Sequence, residues 1–220
     1  MKRFLIAAAA LGLAALPVEA ATVDQSYLPT GATSALTIDS DTAARGQSFT
    51  VGLDGLLTGV RVNVSDKGNL DNALDATLTV SIFDVSGGTI DTSGGALLSG
   101  TLGRTLGSAS FNDFKLAEVL FSSALAVSVG DTLAIVLDGV SAGQNDGFFW
   151  ASGGDAAGYA GGQPFDGSPL ASATFGDFQF QTLVDTTSTA APIPLPAGLP
   201  LLLSALGIGA LLKLRRRLTA

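Results

Sequence analysis

The chain has 220 residues and a formal net charge of −8, with no Cys and no His. Without imidazole there is no triad of the usual serine or cysteine kind, no histidine zinc site and no metalloprotease helix motif, and without thiols there is no disulfide and no lipid-bearing cysteine. Between Ala21 and Ala190 seventeen Asp and one Glu stand against Arg45, Arg61, Lys67, Arg104 and Lys115, a formal −13, and so acidic a surface argues against nucleic acid as a partner.

The first twenty residues form a secretory signal. Met1-Lys2-Arg3 is followed by an apolar stretch from Phe4 to Leu16, a break at Pro17, and Val18-Glu19-Ala20. This order predicts a signal helix handed to the secretion translocon and cut after Ala20. The apolar stretch falls short of the ~20 residues that a retained spanning helix needs.

Residues 21–185 read as one all-β domain. Val60, Val62 and Val64 alternate with Arg61 and Asn63; Leu78, Val80 and Ile82 alternate with Thr79 and Ser81; Leu133, Ile135 and Leu137 follow Asp131-Thr132. A period of two marks strands with one buried face. Residues 47–52, 116–121, 147–151 and 177–183 read as further strands, the last with Phe178 and Phe180 on one face and Gln179 and Gln181 on the other. Ser86-Gly87-Gly88, Ser93-Gly94-Gly95, Val129-Gly130-Asp131 and Gly153-Gly154-Asp155 supply the turns between them. About seven to nine short strands and no helical stripe predict a jelly-roll-like β-sandwich.

Three kinds of chemistry can be placed on this domain. Calcium takes six to eight hard oxygen ligands, and Asp66, Asn69, Asp71 and Asp75 offer the densest set. Residues 39–41 and 144–146 are poorer versions of it, and turn formation with surface hydration is the other reading of all three. A glycan site needs ring faces and amide groups. The candidates are Trp150, Tyr159 and Gln163, with strand alternation placing Phe148 and Trp150 on one face and Phe149 on the other; one of these sets belongs to the core, more often than not the one with Trp150, which leaves Tyr159 and Gln163 in the glycine-rich loop as the exposed participants. Glycosidase chemistry needs a carboxylate pair, and Glu118, the only Glu between Ala21 and Ala190, lies inside an apparent strand. The expectation is therefore a non-catalytic domain.

Residues 186–193 are small, polar and proline-containing, an extended spacer. Residues 194–217 form the tail. Leu195 to Leu212 is 18 residues without an ionisable side chain, long enough as a helix to cross the hydrocarbon core, with its prolines near the start. Lys213, Arg215, Arg216 and Arg217 then form a membrane stop that leaves the preceding domain outside the cytoplasm.

The motif Pro194-Leu195-Pro196-Ala197-Gly198, the apolar span and the basic stop together resemble the PEP-CTERM class of sorting signals, and most closely its VPLPA-CTERM variant, with Ile193 where that variant has Val. The resemblance implies recognition and cleavage by an exosortase-like enzyme, transient residence in the inner membrane of a Gram-negative cell, and delivery to the surface or matrix alongside exopolysaccharide. The other reading of the same tail is an uncleaved inner-membrane anchor. In the middle, Gln47-Ser48-Phe49-Thr50-Val51, the strand 78–84, residues 129–137, Phe148-Phe149-Trp150 and Asp177-Phe178-Gln179-Phe180 resemble bacterial surface jelly-roll domains, which are similar in outline to carbohydrate-binding modules. That likeness supports the fold and implies a lectin-like module as the alternative function.

Overall fold

The structure, a computed structural model, describes residues 21–30, 34–39, 44–66, 77–103, 113–140, 147–153, 158–167 and 170–186. The chain divides into two units, Met1–Thr186 and Thr187–Ala220, and every described residue belongs to the first. The signal at 1–20, the spacer from 187 and the tail with its predicted span lie outside the described residues. Among the described residues no helix is long and apolar enough to cross a membrane.

Among the described residues there are thirteen strands: β1 (Thr22–Tyr27), β2 (Ser34–Asp39), β3 (Arg45–Thr50), β4 (Gly55–Asp66), β5 (Thr77–Ser86), β6 (Thr89–Asp91), β7 (Leu98–Gly103), β8 (Lys115–Val127), β9 (Thr132–Val140), β10 (Gly147–Ser152), β11 (Pro164–Asp166), β12 (Ala171–Ser172) and β13 (Phe180–Asp185). One sheet runs β1-β13-β4-β10-β2, with β8 on the other side of β4. The second runs β12-β11-β3-β9-β5-β6, with β7 also on β5. Every pairing is antiparallel. The described fold is thus all-β and two-sheeted, as a β-sandwich requires.

The period-two residues fill the space between the sheets. Val60, Val62 and Val64 from β4 meet Leu78, Val80 and Ile82 from β5 and Leu133, Ile135 and Leu137 from β9 in one buried cluster. Trp150 stacks on Phe178 within it, ring centroids 4.2 Å apart and planes 11° from parallel, and its Nε1 donates to the Gln179 carbonyl at 2.9 Å. The indole thereby buries a large apolar area without leaving its one donor unmet. Phe148 is buried with it, while Phe149 on the other face is half-buried.

The second sheet also buries part of its outer face. Ala134, Val136, Ile90 and Phe165 form a separate small cluster there, because the sheet curls until β12 approaches β6. Two local features allow the curl. The β5–β6 hairpin turns on Gly87 and Gly88, both at positive φ (60° and 78°), the two-residue turn whose twist matches paired strands. At Gly46 on β3 a Cβ would lie 2.9 Å from Ile90 Cδ1 and 3.3 Å from Phe165 Cβ, so a larger residue there would crowd the Ile90 side chain where β6 reaches across.

The domain has more strands than the sequence pattern predicts, and the additions are short or polar. They are β1, β2, β6, β7, β11 and β12, of which β12 has two residues and β6 and β11 have three each. Trp150→Ala is expected to cost about 3–5 kcal/mol of unfolding free energy, the usual range for truncating a buried large aromatic. Chemical denaturation measures it, and a loss below about 1 kcal/mol would contradict the placement of the indole in the core.

Candidate functional site

The residues singled out for a glycan do not share a surface. Trp150 has no accessible area, so it offers no ring face to a sugar, and the expectation of a stacking role for it is corrected by its burial in the core. Tyr159 is half-buried and held on every side. Its hydroxyl donates to Gln25 Oε1 at 2.7 Å and its amide to Asp177 Oδ2 at 2.8 Å. Its ring packs edge-on to Phe180 at 5.2 Å and tilted to Tyr27 at 6.1 Å. Tyr159 thus touches β1 through Gln25 and Tyr27 and β13 through Phe180.

Asp177 is the polar centre of this region, and the sequence pattern gave no signal for it. Its carboxylate is buried and accepts from Gln47 Nε2 at 2.9 Å as well as from Tyr159, while Gln47 Oε1 takes the amide of Phe178 at 2.8 Å. Buried carboxylates survive only when so satisfied. Burial raises the Tyr159 hydroxyl above its ordinary pKa, Asp24 and Asp177 add to the rise, and a hydrogen bond with the main chain at Thr50 works against it. Burial, then the charge of Asp177, raises Tyr27 as well.

Gln163 does reach a groove. A cavity of about 370 Å³ on the outer face of the second sheet is lined by Ser48, Thr132, Val85, Gly87, Gly88, Gly162 and Gln163. The Gln163 Nε2 donates to the Gly88 carbonyl at 3.2 Å and its amide to Ser48 Oγ at 2.9 Å, so it latches the β5–β6 turn to β3. Its described lining consists of hydroxyls, main-chain groups, an amide and the Val85 side chain.

A second groove of about 440 Å³ lies beside β8 and includes Thr58, Arg61, Glu118, Leu120, Phe121 and Asp185. Arg61 Nε and Glu118 Oε2 are 2.8 Å apart, and Arg61 also donates to Gln181 Oε1 at 3.3 Å. Glu118 is thus engaged by a guanidinium across the β4–β8 ladder, where Arg61 and Glu118 are register partners. Further along the same face Asn63 Nδ2 donates to Gln179 Oε1 at 2.7 Å, and Gln179 Nε2 is left buried without a partner. The other described cations are paired too, Arg45 with Asp166 and Lys115 with Asp113.

For calcium, Asn69, Asp71 and Asp75 lie outside the described residues, as does the side chain of Asp66, whose backbone ends β4. Among the described residues no group of three or more acidic side chains could hold a metal. The strands that flank the oxygen-rich stretches nonetheless end side by side. Asp66 is the register partner of Phe148, Asp39 of Gly147 and Thr77 of Val140. Stretches 67–76 and 141–146 therefore start and finish on neighbouring strand ends, and residues 40–43 leave from the strand next to them. The motif Pro194, Leu195, Pro196, Ala197 and Gly198 and the stop Lys213, Arg215, Arg216 and Arg217 lie outside the described residues. No family model matches the chain, and no curated protein matches it.

The only two tyrosines of the chain, Tyr27 and Tyr159, give a clean pH readout. In the folded protein both should ionise above the ordinary ~10, and in urea near ~10, followed by phenolate absorbance. Their contribution to stability is fully present below the unfolded value and is lost as pH rises through the folded values. Titration of both near ~10 in the folded state would contradict their burial. If the oxygen-rich stretches hold calcium, millimolar calcium raises Tm, EDTA reverses the rise and Asp71→Asn abolishes it; an unchanged Tm removes the metal from these stretches and leaves them as turns.

Proposed function

We propose that the chain is an exported, non-catalytic component of the cell surface or extracellular matrix of a Gram-negative bacterium, working within or beside an exopolysaccharide layer. Residues 1–20 are its signal peptide and 21–185 its jelly-roll-like domain. Residues 186–193 are a spacer, and 194–217 are a VPLPA/PEP-CTERM-type sorting signal whose helix, 195–212, holds the inner membrane until an exosortase-like enzyme cuts near the motif. The observation that carries this reading is the order of Pro194-Leu195-Pro196-Ala197-Gly198, an 18-residue uncharged span and four basic residues. An uncleaved inner-membrane anchor on a periplasmic domain remains the rival outcome.

Two features of the domain support it. The strands nearest the proposed processing points are each other's partners, with Thr22 opposite Val184, so a domain trimmed at both ends keeps its sheet. Strands that pass repeatedly between the two sheets, as β3, β4 and β5 do and β7 to β11 do again, favour the jelly-roll form of the sandwich. A lectin-like alternative draws on the groove at Gln163, where hydroxyls and main-chain groups could orient a neutral sugar.

Mass spectrometry of the protein recovered from producing cells tests the reading. The expected mass begins at Ala21 and ends near Pro194–Gly198 in the surface or matrix fraction, and the double substitution Pro194→Ala, Pro196→Ala should leave a longer product in the inner membrane. Recovery of the full chain from cytosol, or of native protein with its tail still in the inner membrane at steady state, overturns it.

A further inference from the structure

We propose that β1 is an exchangeable arm, and that its acceptor is the β13 edge of a second copy of this chain. The proposal stands on the sheet geometry and holds whatever becomes of the C-terminal tail.

β1 lies at one end of its sheet and pairs only with β13. Of its six residues Tyr27 alone is buried. The rest is held by polar contacts: Gln25 N donates to Thr182 Oγ1 at 2.9 Å, Gly52 N to Asp24 Oδ1 at 3.0 Å, Tyr159 to Gln25 Oε1, and Gln181 Nε2 to Ser26 Oγ at 3.2 Å. Detaching the arm therefore uncovers little of its own apolar surface, and a neighbour's arm re-forms the same bonds in trans.

The connection to β2 makes the movement simple. β1 is antiparallel to β13 and β13 to β4, so β1 runs parallel to β4; β2 reaches the same direction through β10. β1 and β2 therefore point the same way, and residues 28–33, which include Pro29, separate them in sequence. Swinging β1 outward leaves the β2–β10 ladder intact.

The acceptor cannot stay empty. Phe180, Thr182, Leu183 and Val184 of β13 are buried, and stripping β1 away would leave their strand edge unpaired. Simple stacking of copies on the outer side of β1 is disfavoured by the bulge at Asp24 and Gln25, which together oppose Thr182, and by the Asp24 carboxylate. Exchange escapes both obstacles because it reproduces the bulge. A tethered arm competes at roughly millimolar effective concentration, so trans pairing prevails in a dense layer and cis pairing in dilute solution.

The absence of cysteine supplies the test. Gln181 and Ser26 touch across the ladder, so Ser26→Cys with Gln181→Cys introduces one possible disulfide on an exposed face. The full gene is expressed, and the protein is recovered as the cells process it, incubated over a range of concentrations, oxidised, denatured and run without reductant. Exchange gives covalent dimers and larger species that vanish on reduction and whose share rises with the concentration of incubation. The Ser26→Cys single variant should form nothing beyond a dimer. Light scattering on the unsubstituted protein should show the same concentration dependence. Internally closed monomer at every concentration, or scattering from monomer alone throughout, overturns the proposal.

Discussion

A carboxylate taken out of water costs several kcal/mol unless donors meet it, and in this domain the donors that meet Asp177 come from distant parts of the chain. Gln47 belongs to β3 in the second sheet and Tyr159 to the segment before β11, while Gly153, just past β10, donates its amide to the Asp177 carbonyl at 2.8 Å. Asp177, three residues ahead of β13, therefore ties both sheets together at the point where Trp150 and Phe178 stack. The placement of Tyr159, the closure over Tyr27 and the seat of β1 all follow from it. In a chain with no disulfide, such a staple does the joining that a covalent bridge would otherwise do.

What the sequence revealed and what it hid divide along physical lines. Val60-Arg61-Val62-Asn63-Val64 and Leu78 to Ile82 could be read because one face is apolar and the other is not, and alternation survives wherever one face meets water. Leu133 to Leu137 is apolar at every position, the pattern of a strand buried on both faces. Reading only its odd positions misses the outer cluster that Ala134 and Val136 build with Phe165 and Ile90. β1 and β11 leave no such trace: Thr22–Tyr27 is mostly polar because hydrogen bonds hold it, and Pro164–Asp166 is too short to show a period.

The candidate site was less legible, since the same residue types serve packing and binding. The aromatic run Phe148-Phe149-Trp150 was readable as a strand but silent on which ring meets solvent. Gln163 was readable as a loop residue, yet its bond to Gly88 depends on a sheet curl that no local pattern announces. Gln47 and Asp177 are 130 positions apart, and nothing in either neighbourhood signals the other.

The two ends of β4 have different characters. At the Gly55 end, Thr22 and Val184 face each other across the β1–β13 ladder, and Val184 in turn faces Leu57, so any segment joined to Ala21 or to Thr186 attaches there. At the Asp66 end the flanks of stretches 67–76 and 141–146 lie together, with Asp71, Asp75 and Asp146 among their residues. The flanks of the aspartate-bearing stretches thus lie about ten strand residues from the points where the chain enters and leaves the domain, some 30 Å at ~3.3 Å per residue. That separation exceeds the ~8 Å screening length of physiological salt several times over. Charges at one end of β4 are therefore largely screened from charges at the other.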